Sequence, residues 1–252
     1  MPENQELVNT KGGALAQPNA PLGFENEQQD DLIIPRVKVI NALSPERKAG
    51  EASEGDIINS LTKDKLSGKV FVPVFKFNNH IRWRDRTEGG GIACIARDGK
   101  MGEVSDGQML MCAACKRCEF DNTKQGKESL PSCTKYINFF GFIEGERIPL
   151  ILSFSKTSYS EGKKMYSLAK VTMQNMFNYG YSLNSKLMAK NGNEWYNIVI
   201  APAGTSGDDD RAFAHSLYES FRDSVSTIRY DMDETNGDAV EGTPPSTDGT
   251  EY

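Results

Sequence analysis

Alternating apolar and polar positions predict a series of β-strands in the middle of the chain. The longest covers 69–86, where valines and phenylalanines occupy opposite parities and Arg82, Arg84 and Arg86 then share one face, with Trp83 opposite. This is the period of two that a strand requires. The same pattern predicts further strands at 135–143, 148–154, 181–190 and 194–201, and an edge strand that begins at Arg36.

Two segments instead show helical spacing, and one dipeptide predicts a hairpin. Apolar residues recur at i, i+3 and i+4 over 163–179, and at intervals of four over 208–224. Asn191-Gly192 separates the last two strands, and this pair favours the tight type I′ turn of a β-hairpin. We therefore expect a mainly β protein with a few helices.

The order of these elements predicts an OB-fold, a five-stranded Greek-key barrel whose helix lies between the third and fourth strands. A long insertion, 87–134, falls between the first two barrel strands, and Asn191-Gly192 lies between the last two. Loops at these two positions border the nucleic-acid face of an OB-fold. We expect 32–230 to form one such domain.

Charge is distributed unevenly along the 252 residues, whose net charge is −6. Segment 1–31 carries six acids and one base, and 231–252 carries seven acids and no base, whereas 32–230 holds 28 bases against 22 acids. A basic body with acidic ends indicates a core that binds polyanions and an acidic interaction tail, although such tails also serve solubility alone. Both end segments are too polar to bury a core, so we expect them to be disordered.

Four of the five cysteines, Cys112, Cys115, Cys118 and Cys133, lie within 23 residues of one another. Gaps of two residues allow a short turn to place successive sulfur atoms around one ion, and four thiolates in a tetrahedron suit Zn²⁺. Four protein ligands leave no open coordination position, so we expect a structural zinc. Either Cys94 or His80 could replace one of the four.

Three alternatives remain for these cysteines. A disulfide framework is disfavoured by the odd number of cysteines and by the lack of a secretory signal peptide. Buried thiols without a ligand do not account for three cysteines at a strict spacing. An iron–sulfur cluster would use Cys-x2-Cys-x2-Cys, but the expected fourth cysteine three residues later, followed by proline, is missing.

Cations and rings near the predicted loops are candidate nucleic-acid contacts, because single-strand binders combine a positive groove with exposed aromatic side chains. They are Arg82, Trp83, Arg84, Lys116, Arg117, Tyr136, Phe140, Lys156, Tyr159, Lys164, Lys186 and Trp195. Tyr136 and Phe140 share a parity, so we expect both on the outer face, with Ile137 on the core face. Core packing is the alternative for each ring, and a solvated loop is the alternative for the lysines.

Parts of the chain resemble bacteriophage single-stranded DNA-binding proteins. The resemblance covers about 32–224 and is carried by Phe-Val-Pro-Val-Phe-Lys-Phe at 71–77, the cysteine motif, Leu-Ser-Phe-Ser-Lys-Thr-Ser-Tyr at 152–159 and the acidic tail. It implies an OB-fold and sequence-tolerant binding of single strands in phage replication, recombination and repair. It also implies that the tail recruits replication proteins such as a polymerase, helicase or primase.

The sequence does not favour an enzyme. The two histidines, His80 and His215, have no metal-ligand spacing, and the run 208–210 of three aspartates fits a helix start better than a magnesium site. The competing hypothesis is a zinc-containing adaptor, or a transcription or recombination factor, that binds a protein or duplex DNA. No apolar run is long enough to span a bilayer, so we expect a cytoplasmic protein, in the host cell if it is viral.

Overall fold

A computed structural model describes residues 33–85 and 90–223, except for the side chains of Lys127 and Glu128. The predicted disordered segments 1–31 and 231–252, together with Arg86, lie outside the described residues. The strands are β1 Val37–Val39, β2 Ile57–Asn59, β3 Val70–Trp83, β4 Ile92–Ala96, β5 Met101–Val104, β6 Met109–Met111, β7 Thr134–Ile143, β8 Pro149–Ser155, β9 Tyr179–Lys190 and β10 Asn193–Thr205. The α-helices are α1 Pro45–Lys48, α2 Cys112–Cys115, α3 Tyr159–Val171 and α4 Asp208–Phe221.

An eight-stranded antiparallel sheet organises the fold around β3. One edge of β3 pairs with β7 over most of its length, and β8 continues the sheet beyond β7. The other edge pairs first with β9, which is followed by β10, and near its end with β4, which is followed by β5 and β6. β1 and β2 form a separate two-stranded sheet. The protein is therefore mainly β, as predicted.

The closed OB barrel is not observed, although the five predicted barrel strands lie side by side in one sheet. The order is β8–β7–β3–β9–β10, with α3 between β8 and β9 along the chain. In the part of the chain that the structure describes, β8 and β10 do not pair, so the sheet stays open. The predicted hairpin is confirmed, because Asn191 and Gly192 both have positive φ, 53° and 78°, between β9 and β10.

Side chains take the place of a neighbouring strand along the free edge of β10. The Tyr196 N–H donates to Asn41 Oδ1 at 2.6 Å, and Asn41 Nδ2 donates back to the Tyr196 carbonyl at 3.3 Å. Lys164 Nζ donates to the Ile200 carbonyl at 3.0 Å, and the Ile200 N–H donates to Glu161 at 3.4 Å. Because these backbone groups are satisfied, the edge does not require another strand.

Both faces of the central sheet are buried. One face, which includes Phe139, packs against β1, β2 and Met165 of α3. The other face, which includes Phe140 and Phe142, is covered by α4. The expectation that Tyr136 and Phe140 point to an outer face is therefore wrong: α4 buries that face because its own apolar stripe needs a partner.

Helix α3 lies earlier in the chain than predicted, at Tyr159–Val171 instead of 163–179. The Ser155 N–H donates to Ser158 Oγ at 3.0 Å, which closes a capping turn just before the helix. At the other end Met173 has a φ of 52°, a left-handed conformation that cannot continue an α-helix. Within the described ranges, no helix is both long and apolar enough to cross a membrane.

Candidate metal centre and nucleic-acid interface

Strand β4 places Cys94 beside two side chains of β3. Cys94 lies opposite Arg82, and Ala96 lies opposite His80. Residues directly opposite each other in an antiparallel pair point to the same face of the sheet. Cys94, Arg82 and His80 therefore share one face, at the end of the sheet that carries the insertion.

The cysteine motif begins where β6 ends and turns back over this face. Cys112 and Cys115 are the first and last residues of α2, and Lys116, with a φ of 54°, ends the helix in a left-handed conformation. Its N–H donates to the Cys112 carbonyl at 3.1 Å. Further along, the Cys133 N–H donates to the Arg117 carbonyl at 3.1 Å, which brings Cys133 back beside the motif.

All five cysteines line one small cavity of about 20 Å³, together with His80, Arg82 and Arg117. A space of this size holds about one water molecule or ion. The five cysteines are free thiols. Among the described residues, no group of three or more Cys, His, Asp or Glu side chains has an arrangement that holds a metal ion. The structure thus brings together the four predicted ligands and adds Cys94, while zinc itself stays a prediction.

Burial, with repulsion from neighbouring thiols, raises the pKa of three of these thiols, Cys94, Cys112 and Cys133. Burial raises the pKa of Cys133 to about 12, and the neighbouring thiols, with Cys118 and Cys112 foremost, add to the shift. Burial also raises the pKa of Cys94, but the guanidinium groups of Arg82 and Arg117 act in the opposite direction. The site is therefore a shielded sulfur cluster with two cations at its border.

His80 also lines this cavity. Burial lowers the pKa of His80, and the charge of Lys135 on the neighbouring strand lowers it further. Its Nδ1 is buried and forms no hydrogen bond within the described residues.

A second group of cations lies along the chain on both sides of His80 and Arg82, the two β3 residues that line the cysteine cavity. Lys76 and Arg84 have the same parity as His80, and Lys135 lies directly opposite His80 on β7. Lys76 Nζ lies 4.9 Å above the ring of Tyr166, so α3 adjoins this face. Burial lowers the pKa of Lys76.

Helix α3 adds rings and lysines in alternation. Lys163 Nζ lies 5.3 Å from the ring of Tyr159, and Lys170 Nζ lies 5.9 Å from the ring of Tyr166. The four positions are i, i+4, i+7 and i+11, which lie on one side of a helix. Together these residues form the cationic face: Lys76, Arg84, Lys135, Lys163 and Lys170, with the rings of Tyr159 and Tyr166. Sequence reasoning missed most of them, although a Tyr/Lys alternation at helical spacing was visible.

Ion pairing distinguishes the cations around β1 and β2 from those of the cationic face. Around β1 and β2, Lys38 and Lys63 both pair with Glu46, and Lys65 pairs with Asp56. In contrast, within 33–85 and 90–223 no carboxylate lies within ion-pair distance of the five cations of the cationic face. The positive charge of these five side chains is therefore available to a bound molecule.

Three predicted nucleic-acid contacts are engaged elsewhere. Arg82 lines the cysteine cavity, and its Nε is buried. Lys164 closes the edge of β10 through the Ile200 carbonyl. Phe140 is fully buried, with its ring centroid 4.9 Å from that of Phe75 and 5.0 Å from that of Phe221. Phe140 is thus a core residue and the prediction for it is wrong.

The other predicted contacts divide by exposure. Exposed side chains are Trp83, Arg84, Lys116, Arg117, Lys156 and Lys186, and partly buried ones are Tyr136, Tyr159 and Trp195. Tyr136 packs against the core under α4, and Tyr159 against the core under α3. Trp83 keeps 37% of its surface exposed at the end of β3, next to Arg84. This end of β3 therefore retains both a free ring and a free cation.

A family model described as Pam3 phage gp34-like protein matches residues 9–226, most of the chain. The description names a bacteriophage protein, which supports a phage origin. No curated protein matches the chain, and no solved structure does.

Proposed function

The chain belongs to the Pam3 phage gp34-like family, and we propose that it is a sequence-independent single-stranded DNA-binding protein. It would act without catalysis in phage DNA replication, recombination and repair, with a body derived from an OB-fold and a structural zinc. The acidic segment 231–252 would recruit replication proteins.

The observation that carries this proposal is the cationic face without carboxylate partners. Lys76 lies on β3 and Arg84 directly follows its last residue, so eight residues of extended chain, about 26 Å at the usual rise per residue, separate them. Cations along such a span can neutralise phosphates of one strand, and exposed rings stack on bases of any sequence. Tyr166, 37% exposed, supplies a ring beside Lys76, whereas Trp83, also 37% exposed, lies next to Arg84 in the chain on the opposite face of β3.

The strand order supports the same reading. The pairing β8–β7–β3–β9–β10 with an intervening helix is that of an OB-fold opened between its third and fifth strands. The insertion and the β9–β10 hairpin occupy the two connections that border the ligand face in that fold. Lys116 and Arg117 lie on the insertion, and Lys186 lies on the hairpin.

A zinc ion held by Cys112, Cys115, Cys118 and Cys133 would stabilise the insertion. This segment has little core of its own, since Met109, Met111 and Phe120 are each more than half exposed. A metal bound by side chains can supply the folding free energy that such a segment lacks. It would also hold Lys116 and Arg117 at the end of β3.

Salt-dependent titration tests the proposal. Binding of unrelated single-stranded oligonucleotides, followed by fluorescence of Trp83 and Trp195, should be tight, and duplex binding weak. The triple variant Lys135→Gln, Lys163→Gln, Lys170→Gln should reduce the slope of log K against log salt by about 2, at roughly 0.7 per lost phosphate contact.

The matched control removes three charges outside the cationic face, through Arg47→Gln and Lys48→Gln in α1 and Lys65→Gln between β2 and β3. Its slope should stay close to that of the parent protein. Equal losses in both triple variants would refute the cationic face as the binding site. No binding to single strands or duplex would instead favour a protein-binding adaptor, for which Met109, Met111 and Phe120 offer exposed apolar contacts.

A further inference from the structure

We propose that Cys94 is a reserve ligand of the metal site, able to take the place of Cys118 in holding zinc. The inference rests on the proposed zinc site and adds a ligand from the sheet. A four-coordinate zinc takes four thiolates, whereas five thiols line this cavity. One thiol is therefore surplus in any zinc-bound state.

The sheet holds Cys94 in place, independently of the cysteine motif. Cys94 pairs with Arg82 on one side and with Val104 of β5 on the other. A Cβ at Gly102 would lie 2.7 Å from the Cys94 sulfur, so the missing side chain at Gly102 leaves room for the thiol. Its position therefore does not depend on how the 112–133 segment folds.

Cys94 also lies within electrostatic reach of three motif thiols. It interacts with Cys112, Cys115 and Cys133, and each of these three interacts with the other two. These four sulfurs interact with one another around the cavity, and Cys118 is the foremost thiol neighbour of Cys112 and Cys133. Loss of Cys118 would still leave four thiols, the number that zinc requires.

Cys118 is the motif thiol for which replacement fits best. It follows the left-handed Lys116 that ends α2, so it lies in the irregular segment beyond the helix. Cys112 and Cys115 are held by α2 itself, and Cys133 by the hydrogen bond from its N–H to the Arg117 carbonyl. Cys94, on a paired strand, would replace the ligand with the least backbone support.

A double-mutant cycle on the full chain tests this role. Zinc content after dialysis, and zinc affinity by competition with a chromophoric chelator, are measured for the parent, Cys94→Ser, Cys118→Ser and the double variant. The parent and both single variants should each bind about one zinc per chain. The double variant, left with three thiols and His80, should bind zinc more weakly, by at least the roughly 10–100-fold that loss of an outer-shell partner costs.

Zinc loss in Cys118→Ser as complete as in the double variant would overturn the proposal, because Cys94 would then not substitute. Zinc retention in the double variant at the level of Cys118→Ser would also overturn it. A parent protein that binds no zinc would refute both the zinc site and this inference, and the oligonucleotide titrations would show separately whether DNA binding stands.

Alkylation gives a second readout that does not need the double variant. In zinc-loaded parent protein, iodoacetamide should modify Cys94 slowly, because burial raises its pKa, but measurably, because the motif supplies all four ligands. In zinc-loaded Cys118→Ser, peptide mass spectrometry should show Cys94 protected at least tenfold. Equal modification of Cys94 in the two proteins would refute its recruitment to the metal.

Discussion

Replacement of Phe140 by alanine distinguishes a core residue from a base-stacking residue. The ring is fully buried between Phe75, stacked at an interplanar angle of 18°, and Phe221 of α4. Truncation of a buried Phe to Ala costs about 3–5 kcal/mol. The lost ring contacts contribute about 0.5–1.5 kcal/mol each, and a strand on one side and a helix on the other limit collapse of the cavity. We therefore expect the free energy of unfolding to fall by about 4–5 kcal/mol.

Urea denaturation measures this loss, with an unchanged m-value as the sign that the same surface unfolds. The control Phe140→Leu keeps an apolar side chain of similar size and should cost less than about 1.5 kcal/mol. Below its unfolding transition, Phe140→Ala should bind single-stranded DNA within about twofold of the parent, on the order of 0.4 kcal/mol. A stability loss under about 1 kcal/mol together with weakened DNA binding would refute the reasoning and place the ring in the interface.

Two further predictions concern a buried carboxylate and a buried glycine. Burial alone would raise the pKa of Glu46. Hydrogen bonds from Lys38, from its own backbone and from Lys63 outweigh burial and lower the pKa from an ordinary value of 4.5 to about 2. Because the folded pKa is the lower one, this stabilisation is complete above about pH 4.5 and is lost as the pH falls toward 2, by at most about 3 kcal/mol. Glu46→Gln should flatten that part of the stability profile in urea melts, and an equally steep profile would contradict the assignment. Gly162→Ala should destabilise the protein by about 1–3 kcal/mol, because the added Cβ would lie 2.9 Å from Phe154 Cβ. This close contact should outweigh the higher helix propensity of alanine. The exposed Ser167→Ala on the same helix should instead stabilise slightly, and thermal melts that shift in the same direction for both would count against this packing.

Local patterns predicted most strands and both long helices. The alternation over 69–86 became β3, and the three phenylalanines from Phe139 to Phe142 fell within β7, because apolar side chains on both parities fit a strand that is buried on both faces. Asn191-Gly192 formed the predicted turn because both residues adopt positive φ readily. The short strands of the insertion, β4 to β6, escaped prediction because three to five residues carry too little periodicity.

The sequence by itself therefore determined which segments form the long strands, the β9–β10 hairpin and the grouping of four cysteines, since each depends on neighbours within a few residues or on a motif with its own geometry. Tertiary structure decided what depends on distant partners. Helix α4 buried Phe140 because its apolar stripe required a surface, and Asn41, Glu161 and Lys164 satisfied the edge of β10, so the sheet did not close. The register between β3 and β4 pairs Cys94 with Arg82, 12 residues earlier in the chain, and so brings Cys94 to the motif cysteines. Strand pairing sets this contact, and no spacing in the sequence encodes it.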